Sequence, residues 1–236
     1  MVDINRGTIM KAVEIAGLSF KYKEQPEYIL DDISLSLNTG EIIALVGMSG
    51  SGKSTLCRCI CGIIPHVQNG HLKGNIKAFG MDIFNAAMPE IASNVGIVFQ
   101  NPDTQLFSPT VEDELAFGPE NLCVDREEIG RRIDSTLELV GMRKYRYANP
   151  NQLSGGQKQL IAIASVLTMN PKLLICDEVM SQIDKEGKTM IKGVLMSLKD
   201  QGKTVLMIDH DFNNLDIADE IYVLKNQKIQ KYLGDI

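Results

Sequence analysis

The chain is 236 residues long, 44% apolar, with a formal net charge of −6. That size suits one large domain, or a domain with a closely attached subdomain, with enough apolar side chains for a substantial core. The acidic balance argues against a nucleic-acid backbone as the main partner, no stretch approaches the roughly 20 uninterrupted apolar residues of a membrane span, and Met1 to Met10 contain no apolar secretory segment.

In chain order, Ala12-Val13-Glu14-Ile15 and Ile33-Ser34-Leu35-Ser36-Leu37 alternate polar and apolar positions, which predicts antiparallel strands with one solvated face. Aromatics at Phe20, Tyr22 and Tyr28 fall in the same region. The apolar run Ile42–Val46 then reads as a buried parallel strand. It leads into Gly47-Met48-Ser49-Gly50-Ser51-Gly52-Lys53-Ser54-Thr55, which fills every fixed position of G-x-x-x-x-G-K-[ST], and a helix is expected from Lys53 to Ile63. Glycines let the backbone approach an anion, and successive N–H groups point at phosphate oxygens. The helix dipole, the Lys53 charge and a Mg²⁺-ligating Ser54 hydroxyl complete a nucleoside triphosphate site. Cys57, Cys59 and Cys61 are spread around that helix and cannot converge on one metal, so they are expected as small buried hydrophobes.

Asn75–Phe79 and Val95–Phe99 are further strand candidates, and from about Val111 to Leu153 the pattern is helical, with Ile129, Ile133, Leu137 and Val140 three or four apart. Leu173–Cys176 and Val205–Ile208 read as buried parallel strands, followed by helices starting at about Lys185 and Asp211. Strands alternating with helices imply an α/β fold carrying an inserted helical lobe at about 101–155.

Leu153-Ser154-Gly155-Gly156-Gln157 precedes a long helix expected over Gln157 to Met169. Ser and two glycines at a helix start offer free N–H groups and a hydroxyl to an anion, though a plain N-cap needs the same residues. The strand Leu173-Leu174-Ile175-Cys176 then delivers two acids, Asp177 and Glu178, to the sheet edge that carries the phosphate loop. With these motifs the chain resembles the ATP-binding-cassette (ABC) ATPases over about residues 11–232. The resemblance implies a RecA-like parallel-sheet core, an N-terminal antiparallel β-subdomain and the helical lobe, all in one nucleotide-binding domain over 1–236. It implies that Tyr22 stacks on adenine, an interaction worth roughly 1–3 kcal/mol. Gln100 would touch Mg²⁺ and the attacking water, Asp177 would orient the Mg²⁺ shell, and Glu178 would polarise water for attack on the γ-phosphate. His210 would contact the γ-phosphate. Ser154, Gly155 and Gly156 would close over the nucleotide of a second ABC subunit, with Asp184 nearby. Where most family members carry Pro-Thr and later Leu-Asp-Pro after the base, this chain has Val179-Met180-Ser181-Gln182-Ile183-Asp184-Lys185. The missing prolines predict a less restrained loop.

Phe99-Gln100-Asn101-Pro102-Asp103-Thr104-Gln105-Leu106-Phe107 and Thr110–Asn121 are similar to the ATPases of energy-coupling factor (ECF) importers, the group that serves vitamins and metal ions. That likeness implies a peripheral protein on the cytoplasmic face of the membrane, with a second ATPase subunit (identical or paralogous), a transmembrane coupling protein and a substrate-binding membrane subunit as partners. Glu112, Asp113 and Glu114 complement the helix dipole and, as acids on a docking helix, are also available to pair with basic residues of the coupling protein. The rival readings are a soluble ABC ATPase not coupled to transport, or the ATPase of another ABC transporter class. The separation of Lys53 from Ser154 leaves no room for the long coiled coil of chromosome-maintenance relatives, and the expectation is of one cassette rather than the two, joined by a charged linker, of ribosome-acting relatives.

Overall fold

A computed structural model describes residues 10–234. The reading of Met1 to Met10 and the outer limits of the domain at Met1 and Ile236 therefore lie largely outside the described residues. The elements run β1 (Lys11–Tyr22), β2 (Leu30–Asn38), β3 (Ile42–Val46), α1 (Lys53–Ile60), α2 (Ile63–His66), β4 (Gly70–Ala78), β5 (Met81–Asp82), α3 (Met88–Asn94) and β6 (Val95–Val98). They continue through α4 (Val111–Asn121), α5 (Arg126–Leu139), α6 (Gly155–Leu167), β7 (Leu173–Asp177), α7 (Lys185–Asp200), β8 (Thr204–Ile208), β9 (Glu220–Lys225) and β10 (Lys228–Lys231).

Two sheets result, as the alternation of patterns requires. One is antiparallel in the order β2-β1-β4-β5, and the other has the order β10-β9-β3-β8-β7-β6, parallel except for β10. β3 and β8 are buried along their whole length because both faces are covered. Ile42, Ala44 and Val46 face a core shared with α4 to α7, whereas Ile43 and Leu45 face a second core shared with α1 and the antiparallel sheet. This sandwich fixes the C-terminal ends of β3, β6, β7 and β8 along one edge, where the loops gather.

Three expectations need correction. The helix after the phosphate loop ends at Ile60, because Gly62 takes φ 76° and a Cβ there would stand 2.7 Å from Ile91; a short second helix follows. The segment after Asp211 is a 3₁₀ turn, Phe212–Ile217, capped by the Asp211 side chain, rather than an α-helix. The helical pattern of the lobe is broken into pieces: over 101–155 it holds two α-helices and three 3₁₀ turns. Ile129, Ile133, Leu137 and Val140 do form its buried stripe. Cys57, Cys59 and Cys61 are buried as free thiols, and burial pushes the Cys61 thiol up to about 11.

Candidate nucleotide site

β3 runs directly into the phosphate loop, and the loop's glycines are there for contact reasons. A Cβ on Gly47 would come within 2.4 Å of the Leu224 carbonyl of β9. Gly52 adopts φ 104°, and a Cβ there would meet Ile29 at 2.9 Å. The chain thus passes tightly between β9 and the start of β2 on its way to the head of α1. Gly47, Met48 and Ser51 stand outside the cavity lining: Met48 is 80% exposed, and its carbonyl and that of Gly47 are taken by Lys53. The Lys53 ammonium is held over the loop, donating to the Gly47 and Met48 carbonyls at 2.8 and 3.0 Å, and is only 5% exposed. Ser49, Gly50, Gly52, Lys53, Ser54 and Thr55 line one side of a cavity of about 410 Å³, with Gln100, Asp177 and Glu178 opposite.

The far side comes from the ends of β6, β7 and β8. Ser54 Oγ donates to Asp177 Oδ1 at 3.2 Å. Burial raises the Asp177 carboxyl above its usual range, the Ser54 hydrogen bond opposes this, and the Glu178 charge adds to the rise. Gln100 Nε2 donates to Glu178 Oε2 at 3.0 Å and to Ser181 Oγ at 3.2 Å. His210 Nδ1 lies 3.6 Å from the same Glu178 oxygen. Glu178 itself takes φ 52° and its amide donates to the Ile208 carbonyl at 3.0 Å, a left-handed turn that aims its side chain back over the edge. A hydroxyl, a carboxylate and an amide oxygen are the hard donors that Mg²⁺ accepts alongside phosphate oxygens. Ser54, Asp177 and Gln100 fit that description, and among the described residues no cluster offers an all-protein metal cage.

Tyr22 ends β1, with its hydroxyl 3.3 Å from Thr55 Oγ1 and accepting a hydrogen bond from the Arg58 guanidinium at 3.5 Å. Its ring packs edge-on against Phe20. Phe20 is fully buried and unable to meet a base, and Tyr28 carries Lys21 and Lys73 near its ring. Of the three aromatics, Tyr22 alone is hydrogen-bonded to the phosphate-loop helix.

Ser154, Gly155, Gly156 and Asp184 are not brought to this cavity. Ser154 caps α6 in a capping box with Gln157, so the N-cap reading holds, yet a Cβ on Gly155 would meet nothing within 4 Å. Ser154 and Gly156 border a different cavity together with Asp184, whose carboxylate accepts the Gly187 amide at 2.8 Å and caps α7. In the proline-poor loop Val179 and Met180 are 3% and 1% exposed, and the Ser181 amide bonds back to the Glu178 carbonyl.

The acids of α4 fill its first turn, as the dipole reading expects, and each is also bonded within the chain. Glu114 is 4% exposed and accepts the Phe107 and Ser108 amides at 3.0 and 2.8 Å. Glu112 is engaged by Arg146 at 2.7 Å, and Asp113 accepts from Thr110 at 2.6 Å. Internal bonds therefore occupy all three. The loop they hold presents Phe107, 66% exposed, edge-on to Phe117, with ring centroids 4.8 Å apart. Ser181, Arg58, Asp209 and Asn214 around the site were not singled out in the sequence. Only the adjacency of Asp209 to His210 could have drawn attention to any of them.

A phosphate loop, a two-acid strand end and a capped Ser-Gly-Gly turn on this α/β sandwich define a P-loop ATPase domain. The family of ABC transporters matches residues 30–181. A putative ABC transporter ATP-binding protein of Methanosarcina mazei is 42% identical over 95% of the chain, which spans 39% of that relative's length. An energy-coupling factor transporter ATP-binding protein of Ligilactobacillus salivarius is 43% identical over 92% of the chain and 76% of its own length. The solved structure of cbiO1 from Clostridium perfringens, described as part of the ABC transporter complex cbiONQ, superposes with a TM-score of 0.81 at 31% identity, covering 93% of this chain and 87% of that one. The chain belongs to the ABC transporter family and carries its ATPase domain.

Proposed function

We propose that the chain binds ATP with Mg²⁺ and hydrolyses it to drive an ECF-type importer of a vitamin or a metal ion, as a peripheral subunit on the cytoplasmic face of the membrane. The observation that carries this reading is the division of the site. The phosphate loop and the Gln100–Glu178–His210 cluster line one cavity, and the Ser154–Gly156 turn borders another. An anion-binding turn that cannot reach its own chain's phosphates makes sense across a dimer, each site joining one subunit's loop to the other's turn. The second subunit is identical or paralogous.

Mg²⁺, once bound with ATP, neutralises phosphate charge; Ser54, Asp177 and Gln100 are the residues that would hold it. Tyr22 supplies a face for the base. Lys53 and the loop amides bind the phosphates and stabilise the charge that develops on them. Glu178 holds the attacking water and takes its proton, while Gln100 and His210 fix the Glu178 oxygen from two sides. The turn over the partner's nucleotide excludes water, and closure moves the lobe.

The partner surface is reassigned from the acids to the aromatic pair. Phe107 and Phe117 stand on the lobe beyond Gln100, exposed and apolar, where an amphipathic segment of a membrane coupling protein can dock. No helix of the described residues is long and apolar enough to cross a membrane, which leaves the membrane passage to other subunits. The likeness to the L. salivarius protein and to cbiO1 supports this reading. The test is purification of the tagged chain from detergent-solubilised membranes with identification of what accompanies it. A transmembrane coupling protein and a small substrate-binding membrane subunit are expected. Recovery only from the soluble fraction, without membrane proteins, would refute the transport reading.

A further inference from the structure

We propose that Asp209 is a positioning residue for His210, and through it for the Glu178–His210 pair; the inference rests on the catalytic reading of those two residues given above. Asp209 directly follows β8 and is 1% exposed. A buried carboxyl group needs compensation, and among the described residues Asp209 has no salt-bridge partner. Its compensation is made of two hydrogen bonds that span His210. Oδ1 accepts the backbone N–H of Asp211 at 2.8 Å, and Oδ2 accepts Asn214 Nδ2 at 2.7 Å. Asn214 is itself 2% exposed and sits in the 3₁₀ turn, so the second bond anchors that turn beneath the loop.

On the other side of Asp209, the Ile208 carbonyl accepts the Glu178 amide at 3.0 Å. Glu178 is thus fixed to the strand end by backbone, whereas His210 is fixed to it by the Asp209 side chain. The distinction matters because the His210 side chain is 59% exposed and its one polar neighbour among the described residues is the Glu178 carboxylate at 3.6 Å. An exposed ring with one polar contact has no packing to set its direction. Its backbone must do so, and the Asp209 strap holds that backbone. Asp211 adds a second attachment: its carboxylate caps the turn through Asn213 and meets Lys188 of α7 at 3.2 Å. Asp209 touches neither phosphate-loop nor metal-site residues, so its effect on chemistry passes through His210.

The experiment compares Asp209→Ala, Asp209→Asn and Asn214→Ala in the full chain with its ATPase partners. It measures steady-state ATP hydrolysis and the imidazole NMR signals of the chain's three histidines, His66, His71 and His210. Asp209→Ala is expected to lower kcat about 10- to 100-fold, the scale of a small misplacement at a reacting centre, and to move the His210 signals alone. KM for ATP should change by less than about threefold, because affinity resides chiefly in Lys53 and the phosphate-loop amides, with His210 adding one contact at most. Asp209→Asn restores turnover, since its oxygen still accepts the Asp211 amide and the Asn214 amide can rotate to offer its own oxygen. Asn214→Ala loosens the same strap from its other end and serves if Asp209→Ala does not fold. Wild-type kcat in Asp209→Ala beside an impaired His210→Ala would overturn the positioning role alone. Failure of Asp209→Asn to recover would overturn it as well. Full turnover in His210→Ala would overturn the catalytic reading of His210, and the positioning role with it.

Discussion

Glu114→Ala tests whether the lobe's acids serve the fold or an external partner. The Glu114 carboxylate is 4% exposed, and one oxygen accepts both the Phe107 and Ser108 amides. Truncation strands two backbone donors in a region where water is largely excluded, at about 1–3 kcal/mol each. Partial rehydration of the exposed Phe107 side puts the total near 3 kcal/mol. For a chain of this size each kcal/mol lowers Tm by roughly 2–4 °C, so Glu114→Ala should melt roughly 6–12 °C early. Glu114→Gln keeps an acceptor oxygen and loses only the charge assistance, about 1 kcal/mol or 2–4 °C. Glu112→Ala, at a half-exposed ion pair with Arg146, should cost about 1 kcal/mol or less. The assay is thermal melting of the three variants, with Mg-ATP affinity measured alongside and expected to stay near wild type. Equal, small shifts for Glu114→Ala and Glu112→Ala would refute the argument and return Glu114 to the docking surface.

Glu178→Gln should lower turnover by about 10²–10⁴-fold with ATP affinity preserved, because the carboxylate acts on water while affinity resides in Lys53 and the loop amides. Size-exclusion chromatography with ATP should then show a trapped dimer, and substantial residual ATPase in a fully substituted dimer would reject Glu178 as the base. Lys53→Ala removes a charge-assisted contact worth about 1.5–3 kcal/mol, so triphosphate affinity should fall about 10- to 100-fold in a fluorescent-nucleotide titration. Unchanged affinity would count against the lysine's role. The Asp177 carboxyl is held above its usual range by burial, so acidification should protonate it earlier than an ordinary aspartate and weaken Mg-dependent nucleotide binding. The folded state binds this proton more tightly than the unfolded chain, so the same acidification slightly favours the fold, and the loss is specific to the ligand. Asp177→Asn should bind weakly with no such pH dependence; an unaltered profile would show that another group titrates.

What was legible in the sequence was whatever depends on neighbours in the chain. Strand β3, the phosphate loop and the Asp177–Glu178 strand end are local: apolar runs closed by glycines or acids, whose packing follows from their own composition. The three acids of α4 look equivalent in the sequence, yet helix geometry separates them. Val111, Glu114 and Leu115 share one face at i, i+3 and i+4, and that face is buried, so Glu114 is drawn inward. A carboxylate is tolerated there only because a loop six and seven residues upstream turns its amides toward it. β9 and β10 escaped notice for a similar reason. Their hairpin turns on Asn226-Gln227, both in left-handed conformations that Asn-Gly would have announced more plainly, and β9 is stabilised by parallel pairing with the distant β3. Asp209 carries no signal of its own in the sequence, because its Asp211 and Asn214 donors are supplied only by the fold.

The loop from Glu178 to Asp184 joins the two surfaces that the proposed dimer needs. Its first residue lies in the phosphate cavity, Ser181 accepts from Gln100 at the cavity rim, and its last residue caps α7 beside the Ser154–Gly156 turn. In a chain without prolines here, stiffness has to come from elsewhere, and it comes from burial. Val179 and Met180 are anchored in the core that also holds Leu160 and Ile191, so the loop is pinned from beneath by apolar contact while Glu178, Ser181 and Asp184 bond to Gln100 and the Gly187 amide above. A proline acts on the unfolded chain, limiting φ wherever the loop goes, whereas buried apolar residues act only once the core around them is formed. On the proposed reading, the stiffness of this link therefore depends on how well α6 and α7 pack together. A cavity at Met180 should then loosen Gln100 and the capped turn together, where a surface change at Gln182 should leave both in place.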